Sequence, residues 1–541
     1  MAQAAPEQFD VVVIGAGFSG LYAIHRLRGD HRVVCFEAGD GVGGTWYWNR
    51  YPGARVDIVS MEYSYGFDEE LQQEWHWPEY FSAQPELEKY ANHVADRFDL
   101  RQHIRFSNPV TRMRFDAQTN RWHVHTAKGD HVEAKWVIAA TGALYASNEP
   151  AWPNRELFKG QILHTTQWPR EGMDLTGKRV GLIGTGSTGV QAAPIIAEQA
   201  AHLTVFQRTP AYSMPSGNRP IDPEFEADWK ANYPERRKKM LETWGVSLIE
   251  YPTYSVFECT PEQQNEILEK AWTSKNAFQL LTAFSDVMTD LKANAVVSEF
   301  ARNKIRAIVK DPKTAELLCP SYPIGGKRLG IDNGYFETFN RDNVTLVDVR
   351  SAPIKAYTAT GLRTTEGDYE LDVIVLATGF DAVTGAMSRI AIEGLDGMTA
   401  AEKWQDGPTT YLGSMIAGFP NMFMIHGPLT PAAQAQMITA GEWQVNWTAD
   451  LINDMERRGV ARIDTTPEAE QWWADQVNAA AAYTVHNHAE SWYNAKNIEG
   501  KKGGFMIYIG GFPPYAQACT DAVANDYRGF VLTRAEESAP A

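Results

Sequence analysis

Two glycine-rich motifs of the same form, 169 positions apart, constrain the fold of this chain more than any other feature. They are Gly15-Ala16-Gly17-Phe18-Ser19-Gly20 and Gly184-Thr185-Gly186-Ser187-Thr188-Gly189. Each follows a short β-branched apolar run and precedes a helical pattern, and a second apolar run comes next, at 32–37 and 203–207. A strand, a Gly-x-Gly-x-x-Gly turn, a helix and a strand open a doubly wound sheet that binds a dinucleotide. The sequence therefore predicts an α/β fold with two Rossmann-like dinucleotide-binding domains.

The first motif predicts a site for FAD. Gly15 permits a tight turn, Gly17 lets the backbone approach a pyrophosphate, and Gly20 lets the helix pack closely on the strand. The pyrophosphate is expected at the helix N-terminus, where unpaired N–H groups favour an anion. Glu37 ends the next strand, 22 positions after Gly15, where a carboxylate can accept hydrogen bonds from ribose hydroxyls. An N-terminal motif of this kind is typical of FAD in two-dinucleotide flavoproteins.

The second motif predicts a site for NADPH. The strand that follows it ends without an acid, in Gln207-Arg208-Thr209. A cation suits a ribose 2′-phosphate, because arginine can bind phosphate with two hydrogen bonds while a carboxylate would repel it. Lys327 could supply a second cation if the fold brings it close to Arg208. Together the two motifs imply hydride transfer from NADPH to a flavin.

The length of 541 residues predicts more than one domain. We expect a discontinuous FAD-binding domain made of residues 1–146 and 381–541, and an NADP-binding domain made of residues 147–380. A charged, helical stretch at about 221–330 is expected to be an insertion in the second domain. It contains Thr260-Pro261-Glu262-Gln263, which has the pattern of a helix N-cap, a proline in the first turn and a capping-box glutamine.

Composition excludes several other classes of protein. With 50 basic and 67 acidic side chains, the chain lacks the basic surface expected for nucleic acid or an anionic membrane as partner. The four cysteines are far apart and form no Cys-x-x-Cys pair, which disfavours a redox dithiol. The thirteen histidines are scattered, so no metal site is expected. No signal peptide or apolar run of membrane-spanning length is apparent, so we expect a cytoplasmic monomer or weak homo-oligomer acting on a small molecule.

Three further motifs carry a family resemblance. Residues 158–169 read Phe-Lys-Gly-Gln-Ile-Leu-His-Thr-Thr-Gln-Trp-Pro, matching Phe-x-Gly-x-x-x-His-x-x-x-Trp-Pro with His164 and Trp168 at the fixed positions. The others are Gly43-Gly44-Thr45-Trp46 with the downstream Tyr51-Pro52-Gly53, and Ala377-Thr378-Gly379-Phe380-Asp381. In these motifs the chain resembles the type I Baeyer–Villiger monooxygenases. Without the resemblance, His164 and Trp168 would be interpreted as packing residues.

The resemblance implies that NADPH, FAD and O2 convert a ketone to an ester or lactone through a flavin C4a-peroxide. It makes Arg328 the active-site cation that keeps the peroxide anionic, and Asp57 the residue that holds Arg328. The other positions that it assigns to FAD are Thr45, Trp46, Tyr63, Val110 and Met437. Those that it assigns to NADPH are Arg208, Thr209, Lys327 and Trp492. His164 is assigned a role in coupling the motions of the two domains.

Alternatives to ketone oxidation stay open at this point. One is a flavin-containing N- or S-monooxygenase that uses the hydroperoxyflavin, although Trp168 and Arg328 favour the ketone-oxidising branch. Others are an NADPH:acceptor reductase and a dinucleotide-sensing binding protein. The segment 427–437 carries Leu429 and Gln436 where relatives often have Gly or Asn, which leaves the ketone class (cyclic, aryl, linear or steroid) open.

Overall fold

The structure is a computed structural model that describes residues 5–274, 278–497, 502 and 504–534. Its strands are β1 (Glu7–Ile14), β2 (Val33–Phe36), β3 (Ile104–Arg105), β4 (Val110–Asp116), β5 (Arg121–Thr126), β6 (His131–Ala139), β7 (Gln161–His164), β8 (Arg179–Ile183), β9 (His202–Gln207), β10 (Ser213–Pro215), β11 (Gly330–Asp332), β12 (Val344–Asp348), β13 (Ile354–Thr358), β14 (Gly361–Thr364), β15 (Asp368–Glu370), β16 (Val373–Leu376), β17 (Ala391–Glu393), β18 (Met422–Met424), β19 (Val460–Thr465) and β20 (Phe530–Arg534). Its α-helices are α1 (Phe18–Leu27), α2 (Thr45–Trp48), α3 (Glu69–Glu74), α4 (Gln84–Arg97), α5 (Ser187–Gln199), α6 (Pro223–Ala231), α7 (Tyr233–Leu241), α8 (Pro261–Thr273), α9 (Leu291–Ile308), α10 (Pro312–Leu318), α11 (Tyr335–Thr338), α12 (Gly385–Ser388), α13 (Ala400–Lys403), α14 (Met437–Arg457), α15 (Pro467–Ala482) and α16 (Phe512–Ala524).

The first motif belongs to a large sheet with the order β17-β4-β5-β6-β1-β2-β3, and β18 also pairs with β6. Strand β1 runs parallel to β2 and β6 at its centre. Val11 and Val13 face a cluster that includes α1 and α14, while Val12 and Ile14 face the cluster around β4 to β6. Because β1 is covered on both faces, its apolar run is continuous rather than alternating.

The second motif belongs to a smaller sheet with the order β12-β9-β8-β16-β7, in which every pair is parallel. Strand β8, helix α5 and strand β9 follow one another around the second motif, and β9 contains the predicted run 203–207. The α/β fold with two Rossmann-like sheets is therefore confirmed. The capping box at Thr260 and Gln263 is also present at the start of α8.

The chain passes between the two sheets twice, and the two connections run side by side. Ser147 and Phe380 form an antiparallel bridge. On either side, Asn148 N donates to Gly379 O at 2.9 Å and Asp381 N donates to Ala146 O at 2.9 Å. We propose that this double connection marks the boundaries of the predicted domains, at 146/147 and 380/381.

Helices α6 to α10 lie between β10 and β11 in the chain, within the stretch predicted as a helical insertion. The last part of the chain returns to the first sheet, because β17 pairs with β4 and β18 pairs with β6. Of the helices that the structure describes, none combines the length and apolar character required to cross a membrane.

Candidate active site

The two glycine motifs have the backbone geometry of phosphate-binding turns. Gly15 has φ +97° and Gly184 has φ +106°, values that favour glycine. A Cβ on Gly20 would lie 1.8 Å from Gly15 O, and one on Gly189 would lie 2.2 Å from Gly184 O, so neither position admits a side chain. Helices α1 and α5 both begin without a side-chain cap. Their first N–H groups are therefore left for an anion.

Glu37 lies beside the first motif, directly after β2. Its carboxylate accepts hydrogen bonds from Ala16 N at 2.6 Å and from Gly39 N at 2.7 Å. The side chain is buried, and burial raises the pKa of the carboxyl group while the backbone hydrogen bonds oppose that shift. The acid that the sequence predicts at the end of this strand thus contacts the glycine turn itself.

The loop that begins α2 packs against the first motif. A Cβ on Gly44 would lie 2.8 Å from Gly17 Cα, so two backbone segments meet without side chains between them. Trp46 Nε1 donates to Tyr63 OH at 3.2 Å, and burial raises the pKa of Tyr63 to about 12. Thr45 is the first residue of α2. These residues therefore lie beside the first glycine motif, where the family resemblance implies FAD.

Three other residues assigned to FAD lie on neighbouring elements. Val110 is buried at the start of β4, in the same cluster as Ile14 and Phe36 at the ends of β1 and β2. Ser19 Oγ would be 3.1 Å from a Cβ on Gly441 in α14, so α14 approaches the first motif. Met437 begins α14, and its sulfur accepts from Ala433 N at 3.1 Å.

Three of the residues assigned to NADPH, Arg208, Thr209 and Lys327, come together at the end of the second sheet. Thr185 Oγ1, in the second motif, donates to Thr209 O at 2.8 Å. The pKa of Lys327 is lowered to about 8, first by burial and then by the nearby cations Arg208 and Arg350, while Glu490 opposes the shift. Neither Arg208 nor Lys327 has an ion pair with a carboxylate in the part of the chain that the structure describes. A group of cations without such a partner is suited to bind a phosphate.

Arg350 is a member of this group that the sequence analysis missed. Its Nη2 donates to Thr209 Oγ1 at 3.5 Å. A signal for it was present, because β9 and β12 are parallel neighbours with Gln207 opposite Asp348. Residues that follow two adjacent parallel strands lie at the same edge of the sheet. Arg208 after β9 and Arg350 after β12 are such a pair.

Arg328 and Asp57 form an ion pair between distant parts of the chain. Asp57 Oδ2 accepts from Arg328 Nε at 3.0 Å and from Nη2 at 2.7 Å. Arg328 Nη1 donates to Ala433 O, and the guanidinium lies 4.7 Å from the centre of the Phe278 ring. Burial disfavours the charged guanidinium, but Asp57 and Tyr493 outweigh it and raise the arginine's pKa. Arg328 therefore carries a fixed positive charge.

Tyr493 connects this ion pair to Trp492 and was not anticipated from the sequence. It is buried and interacts with Arg328 by a side-chain hydrogen bond. Its ring lies 4.3 Å, centre to centre, from that of Trp492 in an edge-to-face arrangement. No motif identifies Tyr493, because its importance depends on the position of Arg328, 165 positions earlier.

The Tyr51-Pro52-Gly53 motif contacts the helix of the second motif. Tyr51 OH donates to Gln191 Oε1 at 2.9 Å, and a Cβ on Gly53 would lie 2.3 Å from Gln191 O. Gly53 has φ +84°, which also favours glycine. The motif thus lets the chain around Asp57 approach α5 closely.

His164 and Trp168 are both buried at the second sheet. His164 ends β7, its Nδ1 lies 2.8 Å from Thr166 Oγ1, and burial lowers its pKa. Trp168 lines a cavity of about 420 Å³ together with Arg50 and Arg170. The cavity lies between residues of the predicted FAD-binding and NADP-binding parts, where a residue that couples them would be expected.

Leu429 and Gln436 are both buried. Leu429 has φ +69°, a left-handed conformation that favours glycine over a residue with a side chain. Gln436 is the N-cap of α14, with its Oε1 accepting from Thr439 N at 2.6 Å and its Nε2 donating to Glu62 O at 2.6 Å. The segment 427–437 therefore supports the site through its backbone and through the start of α14.

Comparisons with known proteins agree with this geometry. The family model for flavin-binding monooxygenase-like proteins matches residues 8–228. The chain is 41% identical over 533 residues to a Baeyer-Villiger monooxygenase of Pseudooceanicola batsensis, covering 98% of this chain and 97% of that protein. It is 39% identical over 528 residues to a phenazine N-monooxygenase of Lysobacter antibioticus, covering 97% of each. A solved structure of cyclohexanone monooxygenase from Rhodococcus sp. Phi1, bound to NADP+, superimposes with a TM-score of 0.96 at 42% identity, covering 98% of this chain and 100% of that one.

The fold, the two dinucleotide motifs and these matches define an NADPH-dependent flavin monooxygenase. More specifically, the chain belongs to the family of type I Baeyer–Villiger monooxygenases.

Proposed function

We propose that this protein oxidises a ketone to an ester or lactone, with FAD at the first glycine motif, NADPH at the second and O2 as co-substrate. The observation that carries the proposal is the ion pair between Arg328 and Asp57, 2.7 Å apart at their closest atoms. Arg328 directly follows Lys327 of the cation group at the second motif, and Asp57 follows the loop that packs on the first motif, which supports a permanently charged group near both candidate cofactor sites.

The first site fits FAD in shape and in its polar groups. The uncapped start of α1 and the turn at Gly15 provide N–H groups for a pyrophosphate. Glu37 provides a buried carboxylate at the position for ribose hydroxyls. Trp46 and Tyr63 provide aromatic surface next to the turn. When bound, FAD supplies the redox centre at which O2 is activated.

The second site fits NADPH better than NADH. Arg208, Lys327 and Arg350 bring three positive charges to the end of β9 and β12, where NADPH carries its extra phosphate. In a site for NADH, a carboxylate at the end of β9 would bind the free ribose. This chain has Gln207 there instead.

Arg328 has the charge and position to favour the anionic, nucleophilic form of the oxidant that reduced flavin and O2 supply. A preorganised cation also stabilises negative charge that develops on a carbonyl oxygen under attack. Asp57 positions the guanidinium by accepting two of its N–H groups. We therefore propose that Arg328 interacts with the reacting oxygen atoms, whereas Asp57 contributes by holding Arg328 in position.

A second candidate function is oxygenation of an aromatic nitrogen. It is supported by the 39% identity to a phenazine N-monooxygenase, which extends over nearly the whole chain. This likeness is compatible with N-oxygenation as well as with ketone oxidation. N-oxygenation uses the protonated, electrophilic oxidant, whereas ketone oxidation uses the anion. The fixed charge of Arg328 supports the anion and hence the ketone reaction.

The test supplies FAD-loaded enzyme with NADPH, ¹⁸O2 and two panels of compounds, one of cyclic, linear, aryl and steroid ketones and one of aromatic N-heterocycles. We expect an ester or lactone carrying one ¹⁸O atom, with one NADPH consumed for each product. N-oxides formed without any ester would establish the second candidate instead. NADPH consumption that yields hydrogen peroxide alone with both panels would contradict both functions.

A further inference from the structure

A group of histidine and glutamate side chains lies on the hairpin formed by β5 and β6, outside the candidate active site. In this antiparallel pair His123 is opposite Glu133, and His125 is opposite His131. Because alternate residues of a strand point to the same face, all four side chains share one face of the sheet. The histidines are scattered along the chain, and the group exists only through the register of the two strands.

The ligand atoms of three of these residues are already close together. His123 Nδ1 lies 3.2 Å from His131 Nε2 and 3.3 Å from Glu133 Oε1. One atom from each of the three side chains can be chosen so that all lie within 4.8 Å of one another. A tetrahedral zinc ion with bonds of about 2.0–2.1 Å separates its ligand atoms by about 3.3–3.4 Å. The spacing around His123 Nδ1 thus needs little adjustment to hold an ion.

Two neighbouring residues outside the group contact His123 and Glu133 and orient their side chains. Asp116 Oδ2 lies 3.5 Å from His123 Nε2, the ring nitrogen that does not face the other ligands. Gln8 Nε2 donates to Glu133 Oε2 at 2.7 Å, which leaves Oε1 directed toward His123. Metal-binding histidines usually donate their second ring N–H to a carboxylate, which fixes the ring and its tautomer.

The group is partly buried, but an ion can still reach it from solvent. The side chains of His123 and Glu133 are each 16% exposed, so they are partly buried but accessible. The ring of His125 stacks on that of His131 at 4.2 Å between centres and supports its orientation. On the adjacent strand β4, Arg112 is paired with Glu393 at 3.0 Å.

We propose that His123, His131 and Glu133 form a binding site for Zn²⁺, with solvent in the fourth position. The two nitrogen ligands and one carboxylate are of the types that zinc takes from proteins. An ion held in this way would join β5 to β6 and act as a clamp on this hairpin of the first sheet.

The site is remote from the candidate flavin site along the strands. Glu133 of β6 is opposite Gln8 at the start of β1, whereas the first glycine motif begins at Gly15 after the end of β1. Seven positions of extended strand separate Gln8 from Gly15, which corresponds to about 23 Å. The ion would therefore stabilise the sheet without entering the oxygenation reaction.

The test uses full-length, tag-free, FAD-loaded protein that has been freed of metal with a chelator. Zn²⁺ affinity is measured by competition with a chromophoric chelator, and Co²⁺ is added separately to report tetrahedral coordination by its visible absorption. We expect one equivalent of Zn²⁺ with a micromolar or lower Kd, intense Co²⁺ bands, and a Zn²⁺-dependent rise in melting temperature. His131→Gln and Glu133→Gln should each weaken Zn²⁺ binding at least tenfold, and Asp116→Asn should weaken it about tenfold through His123.

His202→Gln is the matched control, since His202 is a half-buried histidine that begins β9 and contacts Thr345 Oγ1 at 3.0 Å. This variant should bind Zn²⁺ as the parent does. Far-UV circular dichroism and flavin content establish that each variant is folded. Absence of stoichiometric uptake by the parent would overturn the proposal, and so would uptake that persists unchanged in both His131→Gln and Glu133→Gln.

Discussion

Arg328 Nη2 and Asp57 Oδ2 lie 2.7 Å apart, although the two residues are 271 positions apart in the chain. Asp57 follows the loop that packs on the first glycine motif, and Arg328 directly follows Lys327 of the cation group at the second. Two consecutive residues therefore belong to different groups, since Lys327 lies near Arg208 and Arg350 whereas Arg328 pairs with Asp57. A displacement of this short segment would change both groups together.

Replacement of Arg328 should separate flavin reduction from ester formation. We expect Arg328→Ala to reduce the flavin with NADPH at a rate close to that of the parent, because hydride transfer does not need the guanidinium. Ester formation should fall by about 10²–10³, the loss typical of removing one preorganised stabiliser of developing negative charge. Anaerobic stopped-flow measurement of flavin reduction and product analysis under air would measure the two steps.

Asp57→Asn provides the comparison for that variant. The amide keeps the size of the carboxylate but loses the charge that raises the pKa of Arg328 and holds it in place. We expect a loss of ester formation of about 10–100-fold, smaller than for Arg328→Ala, because the cation is present but less well positioned. Parental ester formation in Arg328→Ala would show that the arginine has no role in the oxygenation step.

The backbone that contacts Arg328 holds an unfavourable conformation. Ala433, whose carbonyl accepts from Arg328, has φ +60°, and a left-handed conformation costs a residue with a Cβ roughly 1 kcal/mol. Ala433→Gly should therefore raise the melting temperature by about 1–2 °C. Thermal unfolding followed by flavin fluorescence would measure the change.

Ala432→Gly is the matched control for this effect. Ala432 is buried and has no left-handed φ, so the glycine only removes a packed methyl group and adds freedom to the unfolded chain. Its melting temperature should fall. If both glycine variants melt below the parent, the left-handed backbone at Ala433 stores no strain.

The parts of the fold that could be predicted from sequence are those encoded locally. Strand β8 and helix α5 follow from an apolar run and a glycine motif within about twenty residues of one another. The pairing of β17 with β4 could not be predicted in this way, because Ala391 and Arg112 meet only after the chain has completed the second sheet. Short strands at such separations carry too little local pattern to determine their partners.

The same distinction between local signals and long-range contacts applies to the residues of the candidate site. Glycine positions and the strand-end residues Glu37 and Arg208 follow from the geometry of a βαβ unit. Glu37 accepts from Ala16 in the first turn, and Arg208 precedes Thr209, whose carbonyl accepts from Thr185 in the second. Arg328 and Asp57 were assigned from the family resemblance, since no spacing rule connects residues so far apart. Tyr493 carries no local signal at all, because its significance depends on its contact with Arg328.

Arg350 offers a test of the phosphate site that does not depend on family resemblance. We expect Arg350→Ala to raise the KM for NADPH about 10–100-fold, the loss of one hydrogen bond to a charged group, while the KM for NADH changes little. Arg341→Ala is the matched control, since Arg341 precedes β12 and contacts Asn343 at 3.3 Å. Equal effects of Arg350→Ala on both nucleotides would place Arg350 away from the 2′-phosphate.

The lowered pKa of Lys327, about 8, makes NADPH binding dependent on pH in a definite direction. The ammonium group is present below that pKa and lost above it, so affinity for NADPH should be constant near pH 7 and fall as pH rises through 8, by at most tenfold per pH unit. The 2′-phosphate stays fully ionised over this range, since its second pKa is near 6, and NADH should show no such fall.

Lys327→Arg should flatten the NADPH profile, because a guanidinium remains charged throughout. Kd values from pH 7 to 9.5, measured by quenching of flavin fluorescence, would check this, and an NADPH profile that falls equally in Lys327→Arg would assign the titration to another group.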